Sequence, residues 1–143
     1  MLASRIIKPV CCLVAAAMVL TLVGVCSAPL AFAGIALNTI DPTAIVTDDG
    51  CHIIVTGPIA CTERERVPLQ VRVTQRATGA VAVGRTRIIC TGATQHWEVH
   101  AAIHGRATFQ EGPATAVAFA RTILRGDTTD AHQWLVDITL VRE

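Results

Sequence analysis

Beyond Ala33 the chain has no lysine, no serine and no methionine, and tyrosine is absent throughout. These absences exclude a Ser–His–Asp triad, a Ser–Lys dyad, a Schiff-base lysine and a tyrosine nucleophile from that stretch. Aromatic residues make up only 3% of the sequence, so a core has to be built mainly from Val, Ile, Leu and Ala. No window carries a sustained 3.6-residue apolar repeat, which predicts almost no helix. There is no C-x-x-C, no glycine-rich phosphate cradle, no fixed-period repeat and no low-complexity tail. From Gly34 to Glu143 ten arginines stand against six Asp and five Glu, a net charge of −1 (10 − 11). Near-neutrality argues against nucleic acid as a partner, since a general nucleic-acid binder carries a basic footprint.

The first 33 residues read differently. Met1 to Val10 holds Arg5 and Lys8 and no acid, Cys11 to Val25 is a mostly apolar run, and Ala31-Phe32-Ala33 is a small–x–small exit. That order predicts a cleaved secretory signal peptide, with Pro29 breaking its helix before the cut. The apolar run falls short of the ~20 residues a membrane-spanning helix needs, so no stable span is expected after processing. Val25 is too large to precede a lipid-modified Cys26, and no twin-arginine pair is present. The expected organisation is a signal peptide at 1–33, a loosely ordered leader at 34–50 with one edge strand around Ala44 to Thr47, and a single domain at 51–143. The expected location is outside the cell.

The domain alternates with period 2. Strands are predicted at His52–Thr62, Val67–Arg76, Ala80–Cys90, Gln95–Ile103, Ala107–Gln110, Ala114–Arg125 and His132–Arg142. Val67, Leu69, Val71 and Val73 share one face; Ala82, Gly84, Thr86, Ile88 and Cys90 point inward on the next strand. Trp97, Val99, Ala101 and Ile103 form a third apolar face, and Trp134, Val136, Ile138 and Leu140 a fourth. Ala114–Arg125 places Val117, Phe119 and Ile123 on one side, interrupted by Arg121. Gly57-Pro58 predicts a bend, because proline donates nothing to a ladder. About seven strands at 8–12-residue spacing, with Gly, Pro and Thr-rich turns, predict an all-β fold: an Ig-like antiparallel β-sandwich.

Cys51, Cys61 and Cys90 remain after the leader, and an exported domain favours a disulfide. A hairpin centred on Thr78-Gly79 sets Val67 opposite Cys90. In a flat meander Cys61 and Cys90 then lie two strand spacings apart, roughly 9.6 Å, beyond the ~7 Å reach of a bridge. A Cys61–Cys90 bridge therefore requires the first strand to cross to another layer, with Gly57-Pro58 as the place for it. This pair is favoured and Cys51 is then the odd thiol, the other pairings staying open.

Other constellations are weaker. His96, Glu98 and His100 share one strand face and are the candidate metal ligands, but His96 and His100 stand ~13 Å apart at the strand rise, so a solvated polar face is the plainer reading. The same hairpin register sets Arg72 opposite Arg85, with Arg76 and Arg87 on that face. Facing like charges destabilise a sheet, so either acids intervene or the arginines form an anion patch for an acidic envelope polymer. Cys51 and His52 point to opposite faces and make no dyad. The pairs Asp48/Asp49 and Glu63/Glu65 lie in turns. Trp97 and Trp134 sit on apolar phases and read as core.

The runs IVTGPIACTERERVPLQVRVTQ, TGAVAVGRTRIICTGATQHWEVH, EGPATAVAFART and HQWLVDITLVR together resemble small exported Ig-like β-sandwich proteins of actinobacteria. The likeness spans Ile54 to Arg142 and rests on strand and turn chemistry. It implies the Cys61–Cys90 bridge with Cys51 as an extra, and it carries no assigned activity, so no functional residue transfers. The expected function is a secreted, non-catalytic binding or adhesion module acting outside the cell or in its envelope, with no cofactor and with a protein or an acidic envelope polymer as partner. Loops Thr91–Gln95, Gly105-Arg106 and Gly126–Asp130 are the expected recognition segments. The alternatives are an exported hydrolase inhibitor and a metal-binding protein using His96, Glu98 and His100.

Overall fold

The computed structural model describes residues 34–143; the expected signal peptide lies outside them. Eight strands follow in order: β1 (Ile35–Asn38), β2 (Thr43–Val46), β3 (His52–Cys61), β4 (Arg66–Gln75), β5 (Ala80–Ile89), β6 (Thr94–Ile103), β7 (Gly112–Leu124) and β8 (Asp127–Arg142). The 34–50 stretch thus contributes two strands. None of the described residues is helical, and no described helix is long and apolar enough to cross a membrane.

The strand order β3-β2-β8-β7-β4-β5-β6 returns to β3 through a β3–β6 ladder. The result is a closed seven-stranded barrel with β1 as an extra strand on the edge of β3. This corrects the Ig-like sandwich, which requires two separate sheets with free edges. Period-2 alternation reports which side chains face inward; it does not report whether the outermost strands find each other. Here they do: β2 pairs in parallel with β8 from Thr43↔Thr139 to Val46↔Arg142, and β6 pairs with β3 from His52↔Ala102 to Ala60↔Thr94.

As a Cys61–Cys90 bridge requires, β3 and β4 are not neighbours, although the chain parts at their connecting turn and not at Gly57-Pro58. β3 pairs with β6, and β4 lies between β5 and β7. The crossing takes place in the turn Thr62–Glu65, where Arg64 adopts a positive φ of 71°. β3 itself runs unbroken through Gly57 and Pro58. Pro58 is tolerated because its carbonyl receives the Thr39 amide, so its missing donor faces the irregular joint between β1 and β2. Gly57 sits opposite Trp97, and a Cβ there would lie 2.6 Å from the indole ring. Cys61 and Cys90 form a disulfide with Cα atoms 5.5 Å apart. Two backbone bonds reinforce the tie, Arg64 N–H to the Cys90 carbonyl and Cys90 N–H to the Glu65 carbonyl, both 2.9 Å.

The interior is filled by Val67, Leu69, Val71 and Val73 of β4, Ile53, Val55 and Ile59 of β3, and Trp97, Val99 and Ala101 of β6, all buried. Ile138 and Leu140 close it from β8, with Trp134 and Val136 half-buried. β7 differs from expectation. Its buried residues are Ala114, Ala116, Ala118, Ala120 and Thr122, while Phe119 is 45% exposed. Both phases of β7 are apolar, and a small barrel has room for only limited side-chain volume on each inward position. The alanine phase fits and the Val117–Phe119 phase turns outward. Residues 107–110, expected as a strand, form a connection that belongs to no strand. Phe109 is the largest fully buried side chain there. The buried Gln75 holds that connection: its Nε2 donates to the Gln110 carbonyl (2.8 Å) and its Oε1 accepts from the Gln110 amide (2.9 Å).

Beyond β2, β1 and β8 are joined by a side chain rather than a ladder. The Asp130 Oδ2 accepts the Ile35 amide at 3.1 Å and lies 2.8 Å from His132 Nε2. The Ile35 amide, helped by His132 and the Ala131 amide and opposed by partial burial, holds the Asp130 carboxyl below its ordinary value of 3.8.

Two predictions follow from these ties. Replacing Cys61 and Cys90 by alanine opens a closed loop with a sequence separation of 29, and urea unfolding is expected to show a loss of about 3–4 kcal/mol. For Asp130, the depressed folded-state value means its stabilisation is complete above the unfolded value and is lost as pH falls through the folded one. Asp130→Asn is therefore expected to lower the urea midpoint at pH 7, with the gap to wild type narrowing as pH falls below 3.8.

Candidate functional site

The most distinctive surface is the exterior of β5, β4 and β7. The β4–β5 hairpin pairs Gln75 with Ala80 and Arg66 with Ile89. Four residues, Arg76 to Gly79, form its turn, with Gly79 at φ 73°, and the Gly79 amide bonds back to the Gln75 carbonyl. Turn length sets register, and this longer turn moves the pairing two places from a hairpin centred on Thr78-Gly79. Arg72 consequently faces Val83, and Arg85 faces Gln70. The expected head-on contact of Arg72 with Arg85 is corrected. Arg85 Nε instead donates to the Gln70 Oε1 at 2.9 Å.

On β7, Phe119 stands beside Gln70 and Val117 beside Arg72. The next strand brings Leu135 next to Val117 and Gln133 next to Phe119. An open groove of about 440 Å³ lies here, lined by Pro68, Gln70, Arg85, Arg87, Phe119 and Arg121. A second groove of about 660 Å³ is lined by Glu63, Arg64, Arg66 and Arg125. Arg125 forms the tight β7–β8 turn with Gly126, both at positive φ, 54° and 100°.

Eight of the ten arginines after Ala33 therefore occupy one face and its rim: Arg64, Arg66, Arg72, Arg76, Arg85, Arg87, Arg121 and Arg125. All are exposed. Among the described residues only Arg64 has a carboxylate nearby, Glu63 at 3.9 Å; the other seven have no ion pair. The sequence singled out Arg72, Arg76, Arg85 and Arg87, which the fold places on this face. It missed Arg64, Arg66, Arg121 and Arg125, together with Phe119. The signal for Phe119 was Arg121, since an arginine within an apolar phase marks that phase as the wet one.

The remaining candidates lie elsewhere. His96, Glu98 and His100 point outward from β6, with the Glu98 Oε1 2.7 Å from His100 Nε2. Among the described residues no group of three potential ligands is close enough to hold a metal ion. Cys51 is a free, half-buried thiol whose Sγ lies 3.6 Å from the Asp49 carbonyl. Gly126–Asp130, expected as a recognition loop, is largely the start of β8, and Thr94-Gln95 already belongs to β6. Glu65 is fully buried: its Oε1 accepts from Thr129 Oγ1 at 2.8 Å, and its Oε2 has no partner among the described residues. Trp97 is core, as its phase implies.

No protein-family model matches the chain, and no curated protein matches it.

The inverted phase of β7 is directly testable. Phe119→Asp is expected to change unfolding free energy by no more than about 0.5 kcal/mol, as for an exposed position. Ala118→Asp, which buries an unpaired charge, is expected to abolish the cooperative thermal transition followed by circular dichroism.

Proposed function

We propose that this protein is a non-catalytic binding module, exported from the cell, whose ligand is an acidic polymer of the cell envelope held on the β5–β4–β7 exterior. The observation that carries the reading is the segregation of eight arginines on one face and rim, seven without an ion-pair partner among the described residues. Unpaired like charges at strand spacing repel one another, and a polyanion removes that cost while gaining charge-assisted bonds. Guanidinium groups suit carboxylate and phosphate alike, because their donors form a planar fork. Neighbouring strands stand about 4.8 Å apart and alternate residues on a strand about 6.8 Å apart. A chain of regularly spaced anions therefore meets several arginines at once. Phe119, Pro68 and Leu135 add apolar contact for the polymer backbone.

The chain-wide balance of −1 conceals this face, since Asp41, Asp48, Asp49, Glu98 and Glu111 lie on other strands and turns and, among the described residues, only Glu63, Asp127 and Asp137 stand at its rim. Export is supported by the basic start, apolar run and Ala-Phe-Ala exit of the first 33 residues. The missing Ser, Lys and Tyr favour binding over catalysis.

The test is anisotropy of the processed protein with fluorescent poly-glutamate and with a polyol-phosphate polymer. Binding is expected at low ionic strength, weakening linearly in log–log form as salt rises. Arg85→Ala/Arg87→Ala/Arg121→Ala is expected to weaken it by about tenfold or more, each tenfold being 1.4 kcal/mol, and to flatten the salt slope. No binding of either polymer at low salt would sink the reading.

A further inference from the structure

A second site stands apart from the arginine face and does not depend on it. The Ala33–Gly34 bond is the cleavage point that the expected leader implies. Gly34 is buried. Its amide donates to the Thr62 hydroxyl at 3.0 Å, and its carbonyl accepts the Thr62 amide at 3.2 Å. With φ at 151°, the residue has no space for a side chain: a Cβ would lie 2.5 Å from Asp130 Oδ2 and 3.2 Å from Asp130 Cγ. A residue's nitrogen is about 2.5 Å from its own Cβ, so the Gly34 nitrogen lies within about 5 Å of the Asp130 carboxylate.

The same carboxylate already receives the Ile35 amide on Oδ2 and the Ala131 amide on Oδ1. His132 is the single basic side chain within 4 Å of it among the described residues. The Asp130 side chain is about one-third exposed, and its Oδ2 is turned toward Gly34.

We propose that hydrolysis of the Ala33–Gly34 bond converts the Gly34 amide into an α-ammonium group that binds between the Thr62 hydroxyl and the Asp130 carboxylate, locking β1 to β8. The reagents are water and a leader-removing endopeptidase. Water's oxygen joins the Ala33 carbonyl, which departs as a carboxylate. The Gly34 nitrogen takes a proton from that water, and as an amine with an ordinary value near 8 it holds one more at neutral pH. One amide donor becomes three ammonium donors, and a neutral bond becomes a charge-assisted one. A buried ammonium needs a counter-charge, and Asp130 is the carboxylate set to supply it. Processing is thereby coupled to completion of the seam that β2 and β8 leave open at this end.

The chain offers an unusually clean test. No lysine follows Ala33, so the α-amine is the sole primary amine of the processed protein. The full chain is expressed in a secreting host, and the exported form is read by mass spectrometry, with Gly34 as the expected first residue. That amine is then acetylated after mild unfolding, and the refolded protein is melted. Acetylation is expected to lower Tm by about 5 °C, on the scale for one lost interaction in a domain of this size. In Asp130→Asn, acetylation is expected to change Tm little. Inserting one glycine between Ala33 and Gly34, which shifts the ammonium and leaves Asp130 intact, is expected to reproduce the loss. A first residue other than Gly34, equal losses on acetylation in wild type and Asp130→Asn, or an unaltered Tm in the insertion variant each overturn the proposal.

Discussion

The parallel ladder between β2 and β8 is the contact on which the architecture turns. Thr43 to Val46 pair with Thr139 to Arg142, joining the start of the described chain to its end. Without those pairs β8 is an open edge carrying unpaired backbone groups, a template for association. With them the sheet has a continuous inner surface, and every strand must choose which phase it can afford to bury. Interior volume then decides: β7 yields its alanines inward and holds Phe119 out. The chain crossing at Thr62–Glu65 depends on the same closure, since β3 and β4 occupy separate parts of the ring and are tied there by Cys61–Cys90.

Closure also explains how a chain of near-zero net charge acquires a basic face. Outward positions on β4, β5 and β7 are solvated, and arginine is stable there whether or not an acid is near. Screening at physiological ionic strength acts over about 8 Å, so arginines on adjacent strands still feel each other. Their company is tolerated because each guanidinium stays solvated. Phe119 belongs to the same surface for a packing reason, yet its position between Gln70 and Gln133 sets an apolar platform among the cations.

Much of this was legible in the residues. The inward sets of β4, β5, β6 and β8 follow from alternation alone, because in each of them one phase is clearly wetter than the other. β7 was not legible by the same rule, since Ala and Val–Phe phases are both apolar; only Arg121 marked the outer one. The β4–β5 register escaped because it is set by a four-residue turn and by the buried Gln75 clamp, neither of which hydropathy records. The arginine face was half legible. Arg72, Arg76, Arg85 and Arg87 lie within one hairpin, with Arg66 at its open end and Arg64 in the turn before it, whereas Arg121 and Arg125 join them through the pairing of β4 with β7. The role of Asp130, a carboxylate that accepts a distant backbone amide, had no sequence signal.

By itself the sequence determined the strand content, the inward phase of four strands and a leader-like start, because side-chain polarity and spacing act locally and leave a periodic trace. It also settled which nucleophiles are missing beyond Ala33. Tertiary structure alone decided that the edges close into a ring, that β3 and β4 part company at their connecting turn, and that eight arginines share one surface. Those outcomes depend on contacts between residues far apart in the chain, where available volume and hydrogen-bond partners are properties of the whole barrel and of no single segment.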